Sequence, residues 1–202
     1  MKRLAPAVLV AAAQLMGASS KLAVVGSQHD LTATGGGPVK SAVMDACLFC
    51  HAPHNVIPNI TPLWDHTLSS QSYTTYTSST YGSGAQTPGS GSSKLCLSCH
   101  DGTVAVGLTT ADGLLGTSGS MTAGDILGTN LATSHPVSMA AVDDGQLATT
   151  LFTNPSSTKD PAVTLVAGKV ECVTCHDPHA PRNDPVSPMF LGLLPFPEAY
   201  RS

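Results

Sequence analysis

The sequence is poor in the side chains that normally build a folded core. Of its 202 residues only 11% are charged and 4% aromatic, whereas 19 are Gly and 15 are Pro. Few large side chains are therefore available for packing, and many positions interrupt regular elements. No long stretch shows helical periodicity, which excludes long helices. The formal net charge of −4 provides no basic surface for nucleic acid. We expect something other than side chains to supply core material.

Long apolar runs are also scarce, and the only prominent one lies at the N-terminus. Lys2 and Arg3 precede an apolar run from Leu4 to Ala18, and small residues follow up to Ser20. This pattern predicts a secretory signal peptide at 1–20. The alternative is a retained membrane anchor, but the run is short for a bilayer span of about 20 residues. No integral membrane segment is expected after cleavage.

The remaining residues, 21–202, are interpreted as one domain with one unusual segment. Within 67–93, 15 of the 27 residues are Ser or Thr, and none of the 27 is charged. Such a stretch cannot bury enough apolar surface to fold alone. It predicts a surface loop, either O-glycosylated or unmodified. Alternation in "TVAVGLTT" and "AVTLVAGKV" predicts short strands, and single helical turns are expected around the cysteines, one of them capped near Ser92.

All six cysteines fall into three C-x-x-C-H motifs, which is the attachment pattern of c-type haem. Two thiols one helical turn apart can form thioethers with the two vinyl groups of a porphyrin, and the next histidine can then bind the iron. The predicted attachment residues are Cys47, Cys50, Cys96, Cys99, Cys172 and Cys175. The predicted proximal iron ligands are His51, His100 and His176. Three covalent haems would also supply the missing apolar core.

Other uses of paired cysteines fit the pattern less well. Zinc sites combine two C-x-x-C pairs, so three pairs leave one over. A thioredoxin-like pair would be single and would follow a βαβ pattern, which is absent. Disulfides are expected in an exported protein with six cysteines, but they do not explain a histidine after every pair.

Five further histidines are candidates for the sixth coordination position of the three irons. The distal candidates are His29, His54, His135, His179 and, more weakly, His66 beside the single tryptophan. Methionine is the alternative ligand and would raise the reduction potential. The available methionines are Met44, Met121, Met139 and Met189. Because histidine is in surplus, we expect three bis-histidine irons, with the methionines as packing residues.

His54 and His179 each follow a proximal histidine by three residues and stand directly after a proline. Three residues span at most roughly 10–11 Å, and the chain would have to pass round the porphyrin edge to reach the far side. The proline also biases the preceding residue away from helical conformation. We therefore expect each of these histidines to ligate a haem other than that of its own motif, which places two haems side by side.

Several stretches, in this order, resemble exported multihaem c-type cytochromes of metal- and sulfur-respiring bacteria: "GSQHDL", "CLFCHAPHN", "PLW", "KLCLSCHDGTVAVG", "SHPV" and "VECVTCHDPH". That group includes outer-surface cytochromes that polymerise into conductive filaments. The resemblance implies that His29, His54, His135 and His179 occupy distal-ligand positions. It also implies a multihaem cytochrome c fold, mostly irregular coil with short helices and sparse short β-strands wound around the haems. The filament-forming members carry four or more haems, whereas this chain has three motifs.

These observations predict an electron carrier without substrate chemistry, because an iron with two histidine ligands has no open position. The expected location is the extracellular surface or a filament, or alternatively the periplasm. Its expected partners are other cytochromes, a second copy bound head to tail through a bridging histidine, and possible metal-oxide acceptors. His29 is the first candidate for the bridge and His179 the second. The alternatives are a discrete electron shuttle and, less favoured, a haem enzyme with an open iron.

Overall fold

The computed structural model describes residues 24–60, 62–79, 85–141, 152–154, 157–158, 165–176 and 178–179. The predicted signal peptide at 1–20 lies outside these ranges, as do residues 80–84 of the Ser/Thr-rich segment and the positions after 179. Most of the described chain consists of turns and extended coil. The haem-wrapped fold expected from the sequence remains a prediction.

Two short helices carry the second and third cysteine motifs. Helix α1 spans Ser93–His100 and helix α2 spans Cys172–Cys175. The eight residues of α1 bury Ser93, Leu97 and Ser98, and the other five are partly buried. Helix α2 is a single turn closed by a capping box, in which the Glu171 and Thr174 side chains each bond to the other's backbone. Within the described ranges, no helix is long and apolar enough to cross a membrane.

Eight short strands pair into four antiparallel ribbons of two strands each within the described residues. Their bounds are β1 Lys40–Ser41, β2 Leu108–Thr109, β3 Gly113–Leu114, β4 Thr117–Ser118, β5 Met139–Ala140, β6 Phe152–Asn154, β7 Ser157–Thr158 and β8 Lys169–Val170. β1 pairs with β4, β2 with β3, β5 with β8, and β6 with β7. The β5–β8 ribbon lies immediately before α2 and joins it to the middle of the chain.

The interior that the described side chains form is small and largely polar. It contains nine buried apolar side chains, of which only Phe49, Leu97, Leu131 and Met139 are large, against fourteen buried polar or charged ones. A conventional core of branched and aromatic side chains is therefore absent from the described part of the chain. This interior gives little hydrophobic stabilisation by itself, because such stabilisation scales with the apolar area removed from water.

Candidate haem sites

Each histidine that ends a cysteine motif lies opposite one other histidine. The three pairs are His51 with His179, His100 with His29, and His176 with His135. Their ring centroids are 6.2 Å, 6.1 Å and 6.4 Å apart, respectively. All three partners are among the distal candidates from the sequence, and each belongs to a different part of the chain from the motif it faces.

The spacing of these pairs fits an iron between two imidazoles. A metal–imidazole nitrogen bond is about 2.0–2.1 Å long, and the ring centroid lies about 1.2 Å beyond the nitrogen. Two imidazoles on opposite sides of one metal ion therefore have centroids roughly 6.4 Å apart. The observed separations of 6.1–6.4 Å are close to this value in all three pairs.

Backbone carbonyls hold two of the proximal imidazoles from behind. Nδ1 of His51 lies 2.7 Å from the carbonyl oxygen of Pro62, and Nδ1 of His100 lies 2.7 Å from that of Asp125. When Nδ1 carries the proton and donates it to the carbonyl, Nε2 keeps its lone pair and is the ligating nitrogen. These contacts select the tautomer and ring orientation that metal ligation requires. Neither carbonyl could be identified from sequence, because any residue can supply one.

The first motif forms a turn that the segment around Trp64 holds in place. The amides of Cys50 and His51 both donate to the carbonyl of Cys47, at 3.1 Å and 2.9 Å. The carbonyl of Cys50 in turn accepts from the amide of Asp65 at 2.8 Å. The Asp65 carboxylate is fully buried and accepts from two amides of the β2–β3 turn. The first motif is thus joined by hydrogen bonds to the ribbon that follows α1.

The sulfur atoms of the three motifs converge. The Cys96 thiol lies 3.7 Å from the carbonyl oxygen of Ser92, and the neighbouring Cys172 thiol of the third motif raises the pKa of Cys96. Cys50 of the first motif is close enough to Cys96 and Cys99 to raise the pKa of each thiol electrostatically. Groups attached at the three motifs would therefore be neighbours.

Burial keeps two of these thiols uncharged. It raises the pKa of Cys50 to about 11 and that of Cys99 to about 12, because a thiolate is poorly solvated in these surroundings. Both sulfurs are therefore neutral in the protein at physiological pH, as thioether sulfurs also are.

The remaining two distal candidates, His54 and His66, lie outside the three pairs. His66 is buried, and both its nitrogens have partners: Nδ1 lies 2.9 Å from the carbonyl of Thr67 and Nε2 lies 3.2 Å from Sγ of Cys99. Burial lowers the pKa of His66, which favours the neutral ring. His54 is exposed and has no hydrogen-bond or ring partner among the described residues. The structure thus brings together three of the five distal candidates with the proximal histidines.

The methionines do not compete for these positions in the described structure. Met44 is 95% exposed, Met121 is partly buried, Met139 is buried in strand β5, and Met189 lies outside the described residues. Each proximal ring faces a histidine instead.

Apolar side chains are exposed beside the proximal imidazoles. Leu63 follows Pro62, whose carbonyl contacts the His51 ring, and the Leu63 side chain is 51% exposed. Ile126 and Leu127 follow the aspartate that holds His100, and they are 43% and 46% exposed. Apolar side chains grouped in this way around a site suit a large apolar body, such as a porphyrin, packed against them.

The described residues contain no group of three or more His, Cys, Asp or Glu side chains arranged to hold a single metal ion. A haem iron takes only two protein ligands, so the imidazole pairs are the relevant arrangement for it. No protein-family model matches the chain. The search of curated proteins also finds no match.

Proposed function

We propose that the protein is an exported electron carrier with three covalently attached c-type haems, each ligated by two histidines of the same chain. The observation that carries this proposal is the pairing of all three motif histidines with a second imidazole at the separation that one iron requires. The small polar interior and the exposed apolar side chains beside the imidazoles support it.

The residues divide into those that attach and those that ligate. The two cysteines of each motif form the thioethers, and the histidine that follows them binds the iron from one side. His179, His29 and His135 bind from the other side in the first, second and third motif, respectively. Each haem would supply one reversible one-electron couple. The carbonyls of Pro62 and Asp125 orient two of the proximal rings.

Complete ligation explains why a carrier is favoured over a haem enzyme. An iron that takes both axial ligands from the chain leaves no coordination position for a substrate. The hydrogen bond from the amide of Cys172 to the hydroxyl of Ser93 joins the helices of the second and third motifs and supports short distances between the attached groups. Short distances are what passage of electrons from one group to the next requires.

Mass spectrometry under denaturing conditions tests this proposal. The mature chain is expected to carry three haems that survive reduction, and no thiol is expected to react with an alkylating agent afterwards. Thioethers resist reduction, whereas a disulfide between the neighbouring Cys96 and Cys172 would open and then be alkylated. Two alkylated cysteines after reduction, or fewer than three haems, would contradict the assignment.

The pairing of histidines within one chain also affects whether copies of the chain can form a bridged filament. The sequence favoured a head-to-tail filament bridged by His29 or His179, but each of these rings lies against an imidazole of its own chain. The three pairs therefore leave no iron that needs a ligand from a second copy, and this favours the discrete carrier over the bridged filament. His54 is the exposed candidate outside the pairs, so a bridged filament would have to use it.

We expect the purified protein to sediment as a monomer and to show no filaments by negative-stain electron microscopy. The physical reason is that a filament bridged by histidine needs an iron without a second ligand from its own chain, and the three pairs leave none. The variant His54→Ala is expected to behave like the wild type. Filaments that form in the wild type and disappear in this variant would instead establish a bridge through His54.

A further inference from the structure

Glu171 lies between the second and third motifs and is almost completely buried. Its exposed fraction is 2%, and it is one of only two glutamates in the chain. Oε2 accepts hydrogen bonds from the amide and the hydroxyl of Ser93 and from the hydroxyl of Ser138, the last at 2.8 Å. One carboxylate thus joins the start of α1, the residue before strand β5 and the start of α2.

The carboxylate caps both helices that carry cysteines. The side chain of Ser92, the N-cap residue of α1, makes no cap hydrogen bond, and its hydroxyl is buried without a partner in the described structure. The amide of Ser93 donates to Glu171 instead, at 3.1 Å. At the same time Glu171 forms the capping box of α2 with Thr174. Helix starts favour such anionic acceptors, because their first amides have no partner within the helix.

The neighbouring residues fit this bridging role. The hydroxyl of Ser93, besides donating to Glu171, accepts from the amide of Cys172 at 3.0 Å, so the two helices also touch directly. Gly91 has a φ of +64°, and a Cβ there would lie 2.4 Å from Oε1 of Glu171. Only glycine permits both this backbone conformation and this close approach.

We propose that Glu171 is a positioning residue that fixes the separation of the second and third motifs and thereby sets the electronic coupling between the two haems attached there. This inference rests on the proposed function. The carboxylate has hydrogen bonds on both sides of the junction, and each motif begins within four residues of one of its partners. Loss of this bridge lets the two helices move apart while all attachment and ligand residues stay in place.

The experiment compares the holoprotein with four variants: Glu171→Ala, Glu171→Gln, Ser93→Ala and Asp112→Asn. The haem count by mass spectrometry reports on attachment. The bisignate circular dichroism of the Soret band, which arises from coupling between neighbouring haems, reports on their separation and angle. Asp112 is an exposed carboxylate on the β2–β3 turn and serves as the matched control for loss of one negative charge.

We expect Glu171→Ala and Ser93→Ala to keep three haems but to lose amplitude in the Soret couplet. Glu171→Gln is expected to lose less amplitude than Glu171→Ala, because the amide carbonyl can still accept from Ser93 and Ser138 while the NH2 group cannot accept in place of the second carboxylate oxygen. Asp112→Asn is expected to match the wild type. If Glu171→Ala yields no folded protein, the Soret couplet of the milder variant Ser93→Ala is compared with that of the wild type.

One result would overturn the inference alone: wild-type amplitude in both alanine variants that carry three haems. A wild-type protein without haem would overturn the proposed function as well, so the two failures are distinguishable.

Discussion

Replacing His179 by alanine is expected to open one iron to carbon monoxide while three haems stay attached. His179 faces His51 with ring centroids 6.2 Å apart, and among the described residues no other imidazole is paired with that ring. Its removal leaves one iron with a single protein ligand, and a five-coordinate ferrous haem binds carbon monoxide. The wild type is expected to bind no carbon monoxide, because each of its three irons would have two histidine ligands. The measurement is the carbon monoxide difference spectrum of the reduced protein.

The same change at His29 and at His135 should open the second and third sites, respectively, because these rings face His100 and His176. Each single variant is expected to bind one carbon monoxide per chain, and the double variant His29→Ala/His135→Ala two. Added imidazole should compete with the gas, since it restores the missing ligand.

His54→Ala is the matched control, because His54 is an exposed histidine that takes part in none of the pairs. His66→Ala is a second control at a buried position. Carbon monoxide binding to the His54 variant, together with none to the His179 variant, would show that the pairing assigned to the first motif is wrong.

The candidate attachment residues and the candidate histidine ligands could be named from sequence because their signal is local. A C-x-x-C-H motif needs only five consecutive residues, and a surplus of histidine is visible in composition. The pairing of particular rings could not be predicted in the same way. His51 and His179 are 128 positions apart in the sequence, and what brings them together is a path of turns and ribbons with no periodic pattern.

Helix α1 illustrates the limit of local reasoning about the fold. The sequence predicted a single turn capped near Ser92, and Ser92 is indeed the N-cap residue of a helix that continues for eight residues. Yet its side chain does not cap, because Glu171, far along the chain, supplies the acceptor for the first amide. Propensity identified the position of the helix start, whereas the chemistry of the cap depends on a tertiary contact.

The role of Glu171 was missed for a related reason. The sequence did contain a signal: glutamate occurs only twice in the chain, and one of the two stands directly before a cysteine motif. A charged residue beside a motif is usually solvated, however, and only its burial and its serine partners distinguish it.

The second large effect is expected when haem attachment is prevented altogether. Alanine at all six motif cysteines should give a chain without a cooperative unfolding transition, monitored by far-ultraviolet circular dichroism and by amide hydrogen exchange. The described interior has only four large buried apolar side chains, and its ribbons are mostly two residues long. Such an interior cannot offset the entropy of ordering the chain, whereas three porphyrins and six thioethers would add apolar surface and restrict the unfolded state.

The holoprotein is the control, and it should unfold in one steep transition. Restoring the cysteines of the second and third motifs alone should recover part of the protected amides, because α1 and α2 are already joined there through Ser93 and Glu171. Restoring only Cys47 and Cys50 should recover fewer, since the first motif is a turn that depends on the ribbon after α1. A cysteine-free chain that unfolds as cooperatively as the holoprotein would show that side chains alone build the core, and would remove the main physical reason for expecting haem in the interior.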